Sequence, residues 1–504
     1  IAMLRIFGPN PIRNAKRLEK FARDFDAKAK ITDSKNNQFS RMFDHLSGSE
    51  FAIDGQGLAK LASETRALLV TAQLGGAYIM TLVDLSYGAL TRMLNGMPAH
   101  KTLNNYIRFI SGSKNSKALA REARVVSHEI GDELKNASRF SGEKFDTGYM
   151  SWASNKLMKV SLLAPGTAAA RTAFKFEFQF HLKKLSKRTY DDAIRDKNIA
   201  YMYKRYGITK ADHQALSKTK LYTSKYDSKV EYLRVGDIQD QAIRHKWYAY
   251  MFAETESSVP TMMARSRAFM MGGTRPGTGI GEVTRSFWLF KNFPMTIIFS
   301  QIARATNVMM THPSHAARVA YPLGLITFTT FLGTFAYQLK NILKGEDPAP
   351  MNASTLAKGL MHGGGTGFYG DILLNDTSQY GRSTVGAVLG PVAGLINDLS
   401  KLGLTPVHNA LYRNKNSLDK VTPQLAHLLG KYTPFNQLWY TRYAAHSLIF
   451  DNLKKHVDPQ YNEKKKRHLK KLQKEHRGKW AGENFSIERS PKWGNIKSWQ
   501  PVKD

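Results

Sequence analysis

Along most of this chain apolar residues recur three and four positions apart among polar and basic ones, the spacing of helices that bury one face. From Pro11 to about Gly48, Leu18, Phe21, Phe25, Met42 and Phe43 follow this spacing among Lys and Arg, before Gly48, Gly55 and Gly57 punctuate the chain. Ala67–Val83 then runs 17 residues without a charge until Asp84 interrupts it. That length is at the lower edge of a bilayer span, and the Gly75–Gly76 pair would admit a close neighbour. A buried core helix accounts for the run better.

Residues 101–270 are more polar. Helical spacing predicts surface helices over Asn104–Ser113 and Lys117–Asn136, and a further helix over Lys246–Phe269. Arg171–Arg188 departs from it. There Phe174, Phe176, Phe178 and Phe180 alternate with polar residues, the period of a strand, although Lys183, Lys184 and Lys187 beside them would also suit a basic aromatic surface. Gly207 is placed to end one helix, and Thr209, with Asp212 three residues on, to start the next.

Residues 271–450 alternate glycine-rich turns, at Gly272–Gly281 and His362–Asp371, with apolar segments. Phe287–Arg304 is aromatic and expected to kink at Pro294, and Thr384–Asn397 is too short to span a membrane unaided. Val319–Leu339 is different: 21 uncharged residues lie between Arg318 and Lys340. At about 1.5 Å per residue they would cross ~30 Å of hydrocarbon. Tyr321 and Tyr337 fall near its ends, where interfacial aromatics belong, and Leu325, Phe328, Phe331, Leu332 and Phe335 would supply the lipid contact. Four threonines and Gln338 make the segment only moderately apolar, so a bilayer span and a buried core helix both fit.

The expected fold is therefore mainly α, multi-helix and elongated, with little β-sheet and with candidate membrane-interacting helices. Four regions are expected: an N-terminal helical region over 1–100 with the apolar segment 67–90, and a basic helical middle over 101–270. A glycine-punctuated apolar region follows over 271–450 with the candidate membrane segment 319–339, then a basic tail and extended arm over 451–504.

Charge changes the picture. The chain carries 74 Lys and Arg against 40 Asp and Glu, a net charge of +34. Such an excess favours polyanions, either nucleic acid or an anionic bilayer face. It is densest from Lys454 to Lys479, with 11 basic residues against three acidic ones. Lys464, Lys465, Lys466, Arg467, Lys470, Lys471 and Lys474 would cover one broad helical surface, with Leu469 and Leu472 as a thin apolar stripe. That surface should hold DNA or anionic lipid without sequence choice and lose its grip in salt.

Enzyme chemistry finds little support. The chain has no cysteine, which removes thiolate nucleophiles and cysteine-ligated metals. His128–Glu129 lacks a second histidine four residues after His128, and His312 and His315 flank Pro313, which suits a helix start rather than a metal. The loop through Gly273–Gly281 continues into Glu282 and that through Gly363–Gly367 into Phe368, where a phosphate-cradling loop needs Lys and Ser or Thr. The acid pairs Asp191–Asp192 and Glu254/Glu256 read as solvated helix faces. No catalytic residue, metal or cofactor is assigned. The chain opens on Ile1 without a secretory signal, as a processed product or one piece of a longer polypeptide would.

One stretch carries a resemblance. Thr274–Pro294, with TRPGT followed by GEVTRSFWLFKNFP, resembles a recurrent signature of phage internal virion (DNA ejection) proteins and of the related large polyvalent proteins. Gln73–Leu85 (QLGGAYIMTLVDL), Gly363–Asp371 (GGGTGFYGD) and Asn436–Leu453 (NQLWYTRYAAHSLIFDNL) fall in matching order, so the resemblance covers roughly Gln73 to Trp480. It implies a non-enzymatic protein held in the virion interior, at the capsid or portal, and expelled with the genome into the host envelope. The implied partners are phage genomic DNA, other ejection or portal proteins and the host membrane, and a homo-oligomer is expected. Two other readings compete: a DNA-binding, packaging protein of the virion interior that never enters a membrane, and a peptidoglycan-cleaving enzyme.

Overall fold

The computed structural model describes residues 10–28, 43, 53–111, 114–123, 148–226, 230–261, 264–363, 390–411, 417–482, 486–497 and 499. Among them the chain is mainly α-helical and multi-helix, and its one sheet is a two-stranded antiparallel ribbon. The N-terminal half contains α1 (Pro11–Lys28), α2 (Gln56–Gln73), α3 (Asp84–Leu94), α4 (Lys101–Ile110), α5 (Tyr149–Val160), α6 (Leu163–Ser186), α7 (Lys197–Tyr206) and α8 (Lys210–Ser217). Then come β1 (Leu221–Thr223) and β2 (Glu231–Leu233), followed by α9 (Gln241–Ser258), α10 (Gly279–Trp288) and α11 (Ala303–Thr311). The last third holds α12 (His315–Ile342), α13 (Ala353–His362), α14 (Pro391–Leu411), α15 (Ser417–Tyr432) and α16 (Tyr461–Lys474).

The phenylalanine run overturns the strand expected over Arg171–Arg188: it is part of α6, the 24-residue helix around which the largest core is built. Phe174, Phe178 and Leu182 recur at four-residue intervals on one face, fully buried, against Trp247 and Tyr250 of α9. Phe176 turns the other way and packs with Phe109 of α4 and Tyr232 of β2. A helix enclosed on several sides needs apolar residues at several phases, so its sequence can mimic alternation. At its end, Lys183 and Lys184 lie over the Phe180 ring, at 5.4 and 5.2 Å.

The uncharged run from Ala67 to Val83 is core and not one helix. Ala67, Leu69, Val70 and Ala72 are fully buried on α2, which gives way at Gln73 to a tight turn over Leu74–Gly76. A methyl group on Gly75 would lie 2.6 Å from backbone atoms of Gln437 and Leu438, so the glycine is what lets a distant segment cross the turn. Gly207 closes α7 with φ of 62°, and Thr209 and Asp212 form a reciprocal capping box at the start of α8. The break in the aromatic segment falls at Leu289 and Phe290, the latter at φ 68°, and not at Pro294. Pro294 sits in the first turn of the next helix, where no intrahelical hydrogen bond is lost.

The acids of α9 do not form the solvated face expected of them. Glu254 and Glu256 are buried: Arg304 pairs with both Glu254 oxygens at 3.0 and 2.6 Å, and Arg171 with Glu256 at 3.0 Å. Asp191 and Asp192 do face solvent, and Asp191 takes a surface pair from Lys210.

Candidate membrane and polyanion interface

The candidate membrane segment lies within α12, which among the described residues is the one helix long and apolar enough to cross a bilayer. Its threonines do not oppose that. Thr329, Thr330 and Thr334 each donate their hydroxyl to a carbonyl four residues back, at 2.6, 2.7 and 2.8 Å, so their polarity is spent inside the helix.

The buried and exposed sides of α12 wind around it along its length. Tyr321, Thr329, Gly333, Ala336 and Tyr337 are buried, with Tyr321 in the main core and Tyr337 stacked on His362. Val319, Leu323, Ile326, Phe331 and Phe335 are 54–69% exposed. Of the residues expected to touch lipid, Phe331 and Phe335 therefore point outward, while Leu325, Phe328 and Leu332 are half-buried and Tyr321 and Tyr337 point inward. Val319, Leu323 and Ile326 are exposed as well. Steps of four residues back from Phe331 reach Leu323 and Val319, but not Ile326, which lies about 140° around the helix from Phe331.

The inner side is held by backbone contact. Gly359 of α13 and Gly363 just after its end, four residues apart, meet Gly333 and Thr329 of α12 so closely that a methyl on Gly333 would fall on the Gly359 carbonyl and 2.6 Å from the Gly363 nitrogen. This small-residue seam is the way helices associate where burial of apolar surface cannot drive them together. It makes α12 and α13 a tight antiparallel hairpin, joined by the turn Leu343–Asn352.

The basic surface is α16. Lys464, Lys466, Arg467, Lys470, Lys471 and Lys474 are exposed and Lys465 is half-buried, while Leu472 is buried and Leu469 half-buried on the docked side. Lys464 meets the largely buried Asp458 at 2.8 Å and Arg467 meets Glu463 at 3.6 Å, the second an exposed pair that a phosphate would displace at little cost. On the docked side His468 reaches Glu346 at 3.2 Å and Arg477 reaches it at 2.7 Å. Burial works to raise the Glu346 carboxyl. The His468 bond and the charges of Lys344 and Arg477 outweigh it and bring the group down to about 2.

A depressed carboxyl stabilises the fold above its unfolded value and loses that contribution as pH falls towards the folded one. We expect roughly 3 kcal/mol to disappear between pH 4.5 and about 2. Urea titrations of wild type and Glu346→Gln should converge across that window. Parallel curves would remove Glu346 from the account.

The glycine loop before α10 consumes its own donors. The Gly277 amide donates to Glu282 at 2.6 Å and the Gly281 amide to the Thr278 hydroxyl at 3.0 Å, while Arg66 pairs with the other Glu282 oxygen at 2.6 Å. A carboxylate already occupies the place a phosphate would need. The stretch 364–389, with most of the second glycine turn, lies outside the described residues, as does 124–147. Among the described residues no three His, Asp or Glu side chains converge as a metal ion would require. No protein-family model, curated protein or solved structure matches this chain.

Proposed function

We propose that this is a phage virion protein carried inside the particle, at the capsid or portal, and ejected with the genome to form part of a conduit across the host envelope. The observation that carries the reading is the exposed side of α12, where five large apolar side chains stand out on a helix long enough to span a bilayer. Isolated exposed apolar residues need no explanation, but a row along one long helix marks a partner or a membrane. The exposed cations of α16 supply the second contact, to phage DNA or anionic headgroups. In this reading the chain is not an enzyme, takes no cofactor, and works as a homo-oligomer with other ejection or portal proteins.

Co-flotation with neutral and anionic vesicles, at low and high salt, tests it. Binding to anionic vesicles should persist in high salt, and Phe331→Asp with Ile326→Asp should abolish the salt-resistant part. Binding that vanishes with salt would leave only α16 at work and favour a DNA-packaging protein of the virion interior.

A further inference from the structure

The tip of the α12–α13 hairpin is an acidic island in a chain of net charge +34: Glu346 and Asp347 are adjacent, and both are buried. Every side-chain and backbone donor to the Asp347 carboxylate comes from more than a hundred residues downstream. Arg489 donates both terminal nitrogens at 2.8 and 2.7 Å, the Gly478 amide donates at 2.9 Å and the Lys492 amide at 3.0 Å. Arg477 and His468 hold Glu346, as above. Backbone bonds close the clasp: Asp347 N to Gly478 O at 2.8 Å and Met351 N to Asn495 O at 3.0 Å. Asn495 adds a side-chain bond to the Pro348 carbonyl at 2.8 Å.

What the arm lacks is as informative. Ile487, Trp493 and Trp499 are 78, 46 and 58% exposed, so these side chains contribute little to docking, and Trp480, half-buried beside Tyr443, is the large apolar contact at the start of the arm. The arm is held by charge and hydrogen bonds, which fix one position and yet can be exchanged for water and counter-ions. An element retained only by apolar burial would have no such exchange available.

We propose that the arm, as described over residues 477–482, 486–497 and 499, is a latch on the hairpin. Docked, it ties the tip to α16 and adds to the core contacts of Tyr321 and the Ser86 and Tyr87 bonds that hold the hairpin to the body; released, it leaves only those contacts to part before the hairpin carries its apolar residues to a bilayer. The latch rests on the membrane reading above and adds to it the element that withholds the hairpin.

The absence of cysteine provides the experiment. Met351 and Trp499 face each other in a parallel bridge, so Met351→Cys with Trp499→Cys in the full chain gives a single reversible lock. Floated in high salt with vesicles of phosphatidylglycerol and phosphatidylcholine, the oxidised protein should bind about tenfold less than after reduction, as for a tenfold smaller competent fraction. Arg489→Ala should shift the other way, with more vesicle-bound protein and faster amide exchange at Asp347 and Met351. Equal binding of the oxidised and reduced lock, with Phe331→Asp still impaired, would overturn the latch and leave the membrane reading standing. No salt-resistant binding by the wild type or by the reduced protein would remove both.

Discussion

Arg304→Ala should lower folding stability by about 3–5 kcal/mol, the cost of leaving a buried carboxylate unpaired. Glu254 is wholly buried and Arg304 nearly so. The carboxylate also accepts from the Tyr206 hydroxyl and the Asn95 amide, each at 2.6 Å, and Tyr250 donates to the same Asn95 at 2.7 Å. Burial alone would raise the Glu254 carboxyl. The charge and hydrogen bonds of Arg304, with the Tyr206 and Asn95 bonds, outweigh it and hold the group below its usual value. Without the guanidinium that balance reverses and the folded state prefers the neutral acid. The deficit should therefore be full at neutral pH and shrink as pH falls through the carboxylate range, the opposite trend to wild type. Urea midpoints at several pH values would read both effects. Glu254→Leu combined with Arg304→Met should recover most of the loss, because no unpaired charge remains. A double variant as unstable as Arg304→Ala would mean that packing, and not the orphaned charge, dominates.

Gly359→Leu should disrupt the hairpin selectively. The first side-chain carbon alone would fall on the Thr334 hydroxyl and lie 2.8 Å from the Thr334 nitrogen and 2.9 Å from its Cα. Backbone cannot step aside as a flexible side chain can, so the two helices must separate. Overpacking of this kind costs on the order of 1–3 kcal/mol, and a leucine brings three carbons more. We expect proteolytic cleavage to appear first between α12 and α13, with overall helicity almost unchanged. Gly57→Ala is the control. It lies in the first turn of α2 with nothing within 4 Å, and should gain about 0.4–1 kcal/mol from a less flexible unfolded chain. If both variants behave alike, the seam is not what holds the hairpin.

What was legible in the sequence was local. The helix stop at Gly207 and the start at Thr209 depend on residues within one turn, and both are as expected. So is the thin apolar stripe of α16, where Leu472 is buried beneath a row of lysines. The length of α12 was legible too, but not its facing, because Tyr321 and Tyr337 turn inward to partners that approach from α11 and α13. The errors share one cause. Phe174 to Phe180 alternate because α6 is enclosed on several sides, which no window along α6 alone can reveal. Glu254 looked solvated because its counter-charge lies 50 residues away, and Glu256 because its partner lies 85 residues before it. The tail was expected to end in an extended arm, with no word on where it docks, because its attachment at Glu346 and Asp347 depends on an ion-pair spacing of over 130 residues.

That spacing has a consequence in time. Asp347 leaves the ribosome before Gly478, Arg489 and Lys492, which follow 131, 142 and 145 residues later. At about 5–20 residues per second, the hairpin tip waits roughly 7–30 s for its partners. The order of synthesis therefore makes the nascent chain, and not the finished one, the first species to present an uncovered acidic tip and a long apolar helix. On the proposed membrane reading that nascent chain is the first form open to a bilayer, and truncation anywhere between Asp347 and Arg489 would make the interval permanent.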